Sequence, residues 1–347
     1  MEVFWFCAVA VMLTIYVVLD GFDIGAGVIS LSVSKDKKER AAILQSIAPV
    51  WDGNEVWLLA AGGVLYFAFP KLYASAFQGF YLPLMVVLWL LMFRGLAIEF
   101  RNHIDNPAWV PFWDFLFGAA SLLLAVFYGA ALGNVVRGVP LDETGSFFLP
   151  LWTDFTVSAD PGILDWYTIL VGLLAAAVLT QHGALWVALK TEGDLSERAR
   201  KTASRVWFAA LALTIVVTAA SFHVQPALSQ GFSDRPWGYI FPLIALAGLT
   251  GVFVFGRRAG SELKAFLASC AYILGMMTSA VQGVYPNVLP AVAGSGQSLT
   301  VQNAAAPEHG LTIGLAWWIP GMILATGYFV FTYRRLAGKV RLGEAGH

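Results

Sequence analysis

The chain has 347 residues, of which 58% are hydrophobic and 12% charged, and its formal net charge is −1. Soluble globular proteins contain about twice this share of charged residues, so the composition excludes an ordinary soluble enzyme and gives no reason to expect binding of nucleic acid. Cys7 and Cys270 lie far apart inside apolar stretches. This arrangement fits neither a disulfide framework nor a thiolate metal site.

Nine apolar segments follow one another along the chain, each long enough to cross a bilayer as a helix. They are predicted near residues 3–32, 46–70, 74–99, 112–136, 163–189, 204–224, 237–256, 264–285 and 310–333. Backbone groups inside lipid must be satisfied internally, and runs of this length favour helices over barrel strands. The sequence therefore predicts an all-α integral membrane protein, a bundle of about nine transmembrane helices that forms a single membrane domain over 1–347.

The distribution of Lys and Arg predicts the orientation of the bundle. With the N-terminus outside, the cytoplasmic loops and the C-terminal tail hold 17 of the 21 basic residues. The outside loops then hold three, namely Lys71, Arg137 and Arg235, and Arg94 lies within a span. Basic residues accumulate in cytoplasmic loops. We therefore expect the N-terminus outside and the C-terminus, at His347, in the cytoplasm.

Ionisable residues inside the predicted spans are the main functional signal. The first span contains Asp20 and Asp23, the second contains Asp52 and Glu55, and the third contains Arg94, with Glu99 near its end. Each pair in the first two spans is three residues apart, which places both carboxylates on one helix face. An ionisable group at the centre of a membrane helix costs at least about 2.5–3.5 kcal/mol on insertion scales, so each is a functional hypothesis.

These groups form either a proton-conducting chain or a buried structural ion cluster. The predicted topology places all of them in the cytoplasmic half, with Asp23 about 15 Å and Asp52 about 10 Å from that end. One guanidinium cannot neutralise four carboxylates, so some must be protonated or hydrated, and such groups exchange protons. This favours proton transfer for Asp52 and Glu55. Arg94 is equally well explained by ion pairing with Asp23 or Asp52, and Asp23 is the partner that we predict.

The five histidines do not predict a metal site. No two of them are three or four residues apart, so no helix presents a pair of imidazoles on one face. A haem held by this chain alone would require His182 and His223 to meet, which their positions in successive spans do not favour. His182 is expected to be a hydrogen-bonded core residue.

Several motifs resemble one family of membrane proteins. They are DGFDIGAG at 20–27, SIAPVWDGNEVW at 46–57, FRGLAIEFR at 93–101, YPNVLP at 285–290 and SLTVQNAA at 298–305. In order and spacing they resemble subunit II of the cytochrome bd-type quinol:oxygen oxidases. The resemblance covers nearly the whole chain, with the middle spans least diagnostic.

The resemblance implies a subunit that is not catalytic alone and that pairs with a haem-bearing subunit I. Subunit I would hold two haems b, one haem d and the quinol site. The complex would oxidise quinol and reduce oxygen to water in aerobic respiration, taking protons from the cytoplasmic side of a bacterial inner membrane. Asp23, Asp52 and Arg94 match the family's intramembrane charges, and Trp57 matches a residue near its oxygen route. The resemblance also allows a structural lipid quinone in this subunit and a small accessory subunit.

Two positions depart from the family pattern, and two other classes of protein stay open. Val50 stands where some members have His, and Glu55 stands where others have Gln, so the proton path would use Glu55 in place of an imidazole. A proton-coupled transporter also places carboxylates in broken helices, but usually in corresponding positions of two halves. Only one such interruption is found, near Pro49. The third class is a partner subunit whose charges only pack.

Overall fold

The computed structural model describes residues 1–104, 106–292 and 294–340, and this part of the chain is mostly helical. Its helices are α1 (Glu2–Val33), α2 (Lys37–Ile47), α3 (Trp51–Ala68), α4 (Pro70–Gly79), α5 (Tyr81–Phe100), α6 (Trp109–Arg137), α7 (Trp166–Lys190), α8 (Gly193–Val224), α9 (Ala227–Asp234), α10 (Ile240–Phe255), α11 (Glu262–Val284) and α12 (Glu308–Arg335). A 3₁₀ helix, Pro236–Tyr239, precedes α10, and the short strands β1 (Asn287–Leu289) and β2 (Leu299–Thr300) pair antiparallel.

Eight helical segments of the described residues are long and apolar enough to cross a membrane. Each coincides with one of the nine predicted spans, and the remaining span corresponds to α3. That helix has only 18 residues and contains Asp52, Asn54 and Glu55 in its first two turns, which lowers its mean hydropathy. The predicted all-α membrane bundle is confirmed. The orientation of the termini stays a prediction, and His347 lies outside the described residues.

Two predicted spans are interrupted at positions that proline explains. The predicted span 46–70 begins in the last residues of α2 and continues as α3 from Trp51, because Pro49 lacks the N–H that would continue α2. Residues 74–99 divide into α4 and α5 at Phe80. Pro83 cannot donate to the Gly79 carbonyl, which instead accepts a hydrogen bond from the Leu149 amide at 3.1 Å. The loop before α7 is thereby fixed to the break.

Helix α1 lies at the centre of the bundle and packs against α3, α6, α7 and α11. Its approach to α7 is so close that a Cβ atom on Gly25 would lie 2.7 Å from the Gly183 nitrogen. Small residues at such crossings let two backbones meet. His182 lies beside this crossing, with Nδ1 2.7 Å from Ser269 Oγ and Nε2 2.9 Å from the Val18 carbonyl. It is a hydrogen-bonded core residue, as expected.

Helix α12 lies at the edge of the bundle, and Leu311 is its only buried residue. Both ends are fixed by hydrogen bonds. Trp5 Nε1 donates to the Leu311 carbonyl at 3.2 Å, and Lys190 Nζ donates to the Leu336 carbonyl at 2.6 Å. Large apolar side chains such as Trp317, 79% exposed, point away from the bundle. This side of the molecule therefore faces lipid or another protein.

Candidate functional site

Three helices bring a guanidinium and two carboxylates together inside the bundle. Arg94 on α5 donates from Nη1 to Asp20 Oδ1 on α1 at 2.6 Å and from Nη2 to Glu55 Oε2 on α3 at 3.1 Å. Asp20 and Arg94 are fully buried, whereas the Glu55 side chain is 23% exposed. The ion network therefore extends from the protein interior to its surface through Glu55.

A second polar chain begins one turn further along α1. Asn54 Nδ2 donates to Asp23 Oδ2 at 2.7 Å, and Asn54 Oδ1 accepts from the Tyr333 hydroxyl at 2.8 Å. Asp23 and Asn54 are fully buried. Because Asp20 and Asp23 are three residues apart on one helix face, the two chains of contacts meet on α1.

Three buried polar atoms of this cluster have no hydrogen-bond partner among the described residues. They are Asp20 Oδ2, Asp23 Oδ1 and Arg94 Nε. Leaving a buried polar group without a partner costs about 1–3 kcal/mol. Such groups are rare in native proteins and call for an explanation, such as internal water or a chemical role. Their concentration in one cluster indicates that the cluster holds internal water or has a chemical role.

The balance of charge leads to the same interpretation. Asp20, Asp23 and Glu55 surround a single guanidinium, and Asp23 accepts its hydrogen bond from a neutral amide. Burying an unpaired carboxylate is expensive, and such a group is neutralised instead. At least one of the three carboxyl groups must therefore hold a proton, which is the requirement for proton transfer by side chains.

Asp52 lies exposed in the first turn of α3, and its depth in the bilayer stays a prediction. Two predicted features of the site are placed differently by the structure. The expected Asp23–Arg94 pair is not formed, since Arg94 bonds Asp20 and Glu55. Glu99 is exposed on α5 and makes no ion pair within the described residues. Five residues separate it from Arg94, about 140° around the helix.

Comparisons with known proteins identify the family in which this site occurs. The model of the cytochrome bd terminal oxidase subunit II family matches residues 1–336. The chain belongs to this family. The resemblance predicted from the motifs is confirmed, and the chain is a multi-pass membrane subunit of a terminal oxidase, an oxidoreductase with haem in the complex and a subunit I as partner.

Curated relatives match this chain over most of its length. The "Probable cytochrome oxidase subunit 2" of Haemophilus influenzae is 32% identical over 97% of this chain and 94% of the relative. The "Cytochrome bd ubiquinol oxidase subunit 2" of Bacillus subtilis is 31% identical over 89% and 88%. "The structure of bd oxidase from Geobacillus thermodenitrificans" matches with a TM-score of 0.74, covering 97% of this chain and 98% of that one at 16% identity. This last match shows the fold.

Among the described residues, His182 and His223 do not form a pair of haem ligands. Both ring nitrogens of His182 are within hydrogen-bond distance of Ser269 Oγ and the Val18 carbonyl. His223 is exposed in the last turn of α8. Within the described ranges, no group of three or more His, Cys, Asp or Glu side chains could hold a metal ion.

Trp57, the predicted oxygen-access residue, lies in the apolar layer beside the ion network. Its side chain is buried in a cluster with Met12, Tyr16 and Ala61, and its ring centroid is 5.5 Å from that of Phe329 on α12. The indole Nε1 has no hydrogen-bond partner among the described residues. The role of Trp57 in oxygen access stays a prediction.

Four polar residues of the site were not predicted as site residues. Asn54 lies inside the quoted second motif, and Tyr16 lies one turn before Asp20 on the same face of α1, so each had a local signal. No nearby motif pointed to Tyr128 or Tyr333, because α6 and α12 are distant in sequence from the charged residues of the site. The Tyr16 and Tyr128 hydroxyls are 2.8 Å apart.

Tyr16 and Tyr128 also line a large apolar cavity of this chain. The cavity has a volume of about 570 Å³ and lies between α1, α6, α7, α8, α10 and α11. Its wall is mainly aliphatic, with hydroxyl groups from Tyr16, Tyr128 and Thr214. A cavity of this size and chemistry suits an elongated apolar ligand with a few polar atoms.

Subunit II contains a second buried ion cluster, in which every polar atom of the guanidinium is bonded. Arg137, at the end of α6, pairs with Asp165 and donates from Nη2 to Asn134 Oδ1 at 2.7 Å and from Nη1 to the Gly162 carbonyl at 3.0 Å. Asp165 also accepts from the Thr168 amide in a capping box at the start of α7. This cluster fixes the chain between α6 and α7.

Proposed function

We propose that this chain is subunit II of a cytochrome bd-type quinol:oxygen oxidase in a bacterial inner membrane. Its partner, subunit I, would hold two haems b, one haem d and the quinol site, and the complex would generate a proton gradient while reducing oxygen to water. Relatives in Bacillus subtilis and Escherichia coli are named as ubiquinol oxidase subunits, which supports quinol as the reductant. The main support for a proton role is the incompletely bonded carboxylate cluster around Arg94.

The proposed proton route runs from the exposed end of α3 into the bundle. Asp52 accepts protons at the surface, and Glu55, one turn further along α3, passes them inward. Arg94 keeps Glu55 and Asp20 together without itself releasing a proton, since a guanidinium stays charged. Asp20 and Asp23 then hold the proton beside the interior of the bundle. With the N-terminus outside, Asp52 lies at the cytoplasmic side, so uptake from there contributes to the gradient.

The exposed face of α3 that carries Asp52 and Glu55 is the proposed docking face for subunit I. Asp52 is exposed and Glu55 is partly exposed on the side of α3 that also presents Val56 and, at 73% exposure, Leu59. Carboxylates that face lipid at membrane depth are costly. A protein partner that covers this apolar face would shield both carboxylates from lipid, while protons still enter through Asp52 at the cytoplasmic end of α3.

Two further roles follow from the apolar parts of the subunit. We assign oxygen access to the layer around Trp57, because oxygen is apolar and this layer is formed by apolar side chains of α1, α3 and α12. We assign a structural lipid quinone to the cavity of about 570 Å³, where the Tyr128 hydroxyl, which accepts from Tyr16, could donate to a quinone carbonyl. Its aliphatic wall suits an isoprenoid tail.

The function is tested on the complex purified with its partner. The complex should show haem absorbance and oxidise quinol with oxygen, and this chain purified alone should retain no haem. Asp52→Asn should keep the haem content but slow oxygen consumption, because an amide cannot take up and release the proton. Glu99→Gln, at an exposed carboxyl without an ion pair, is the matched control and should be unaffected. An Asp52→Asn complex with undiminished turnover would remove Asp52 from the route, and a haem-free purified complex would favour the transporter class.

A further inference from the structure

The hydrogen bond between Tyr333 and Asn54 connects the outermost helix to the interior of the bundle. Tyr333 lies on α12, whose other side chains are mostly exposed, yet its hydroxyl is 2.8 Å from Asn54 Oδ1. Its ring is held between Phe329, stacked at 6.3 Å, and Trp186, edge-on at 6.4 Å. The position of this hydroxyl is therefore fixed by packing on two sides.

Asn54 transmits the position of that hydroxyl to Asp23. An amide oxygen can only accept hydrogen bonds and an amide nitrogen can only donate them. Because Tyr333 occupies Oδ1, Nδ2 is turned toward Asp23 Oδ2 at 2.7 Å, with a longer contact of 3.5 Å to the Leu19 carbonyl. The reversed amide would place Oδ1 against the carboxyl group of Asp23. That arrangement suits only a protonated carboxyl.

Asp23 accepts its hydrogen bond from a neutral amide, whereas Asp20 and Glu55 accept theirs from the Arg94 guanidinium. Among the described residues, Asn54 is the one group that donates a hydrogen bond to Asp23. The charged and titratable groups around Asp23 are Asp20 on α1, Glu55 on α3, Arg94 on α5 and Tyr333 on α12. None of these four bonds Asp23 directly, so the orientation of Asn54 determines whether the carboxylate has a donor.

We propose that Tyr333 and Asn54 are positioning residues for proton transfer at Asp23. The hydroxyl on α12 holds the Asn54 amide in the orientation that favours the ionised carboxylate, and so determines how readily Asp23 takes up and releases its proton. This inference rests on the proposed function, in which Asp23 belongs to the proton route. It adds α12 to that route, although α12 itself has no carboxylate within the membrane.

The test compares two tyrosines of α12 in the intact oxidase. Tyr333→Phe removes the hydroxyl bonded to Asn54. Tyr328→Phe removes one that is exposed and makes no hydrogen bond among the described residues. We expect Tyr333→Phe to lower turnover per haem by about two- to tenfold, the size expected for loss of one hydrogen bond. The solvent deuterium isotope effect on turnover should rise in Tyr333→Phe and stay unchanged in Tyr328→Phe.

A double variant shows whether Tyr333 acts through Asn54. In an Asn54→Leu background, Tyr333→Phe should cause no further loss of turnover per haem, because the connection is already broken. The proposal is overturned if Tyr333→Phe matches Tyr328→Phe in rate and isotope effect, or if it lowers only the yield of complex. The Asp23→Asn variant distinguishes failure of the proposed proton route from failure of this inference. If Asp23→Asn is slow while Tyr333→Phe is normal, the proton route stands and only this inference fails.

Discussion

Arg94 and Arg137 are both buried arginines paired with buried aspartates, yet their surroundings differ in one respect. Arg137 has one carboxylate partner and bonds from all three guanidinium nitrogens, with Nε 3.2 Å from the Gly138 carbonyl. Arg94 lies among three carboxyl groups, and its Nε has no partner among the described residues. A fully bonded ion pair stabilises a fold, whereas an excess of partly bonded carboxylates can hold and release protons. We therefore interpret the Arg137 cluster as structural and the Arg94 cluster as the proposed site of proton transfer.

The largest expected effect is common to both clusters. Arg94→Gln and Arg137→Gln each leave buried carboxylates without a counterion, which costs about 3–5 kcal/mol. Both variants should therefore reduce the amount of assembled, haem-containing complex. The measurement is the haem absorbance of the purified complex per amount of membrane. Normal assembly of Arg137→Gln would contradict the structural role of that cluster.

The matched aspartates should separate the two clusters. Asp165→Asn should lower the amount of complex, because Asp165 bonds Arg137 and the Thr168 amide, while turnover per haem stays normal. Asp23→Asn keeps the shape of the side chain and removes the exchangeable proton, so turnover per haem should fall by about tenfold or more. Oxygen consumption normalised to haem decides between the two effects. Equal behaviour of the two variants would remove the distinction between the clusters.

The partner of Arg94 can be tested by double-mutant cycles on the assembled complex. Asp20→Asn and Arg94→Gln should be non-additive, with a coupling free energy of about 0.5–3 kcal/mol. Asp23→Asn and Arg94→Gln should couple less, since no hydrogen bond joins Asp23 to Arg94. Stronger coupling at Asp23 would favour the pairing expected from the sequence over the pairing seen in the structure.

The smallest effect is expected at Trp57. Trp57→Phe keeps an aromatic ring in the cluster with Met12 and Phe329, so assembly and maximal turnover should stay normal. The KM for oxygen should change if oxygen passes through this layer. Trp89→Phe is a suitable control, because Trp89 is exposed on α5. An unchanged KM for oxygen in Trp57→Phe would exclude this residue from oxygen access.

The sequence predicts the positions of the helices better than the contacts between them. Long apolar runs located the spans because the thickness of the bilayer dictates their length. The sequence indicates the interruption near Pro49 but not the break at Phe80, since a helix on either side of a break is as apolar as a continuous one. Insertion cost similarly identified the buried carboxylates, but not their partners. Asp20 and Asp23 differ by only about 60° around α1, so the small rotation that directs Asp20 to Arg94 depends on packing against other helices.

Polar partners without charge were the hardest to predict. Asn54, Tyr128 and Tyr333 are neutral, and a single neutral polar residue in a membrane helix is an ordinary finding. Their importance follows from the atoms that they contact, on helices distant in sequence. By contrast, the family motifs located Asp23, Asp52 and Arg94 without any structural knowledge.

The most direct test of the account is proton uptake by the assembled oxidase during a single turnover. A pH-indicating dye follows uptake after reduced enzyme is mixed with oxygen, and haem absorbance follows oxygen binding in the same sample. In Asp23→Asn we predict oxygen binding at the normal rate and proton uptake slowed by about tenfold or more, with Glu99→Gln unchanged in both. Uptake at the normal rate in a fully assembled Asp23→Asn complex would contradict the proposal that the cluster around Arg94 conducts protons.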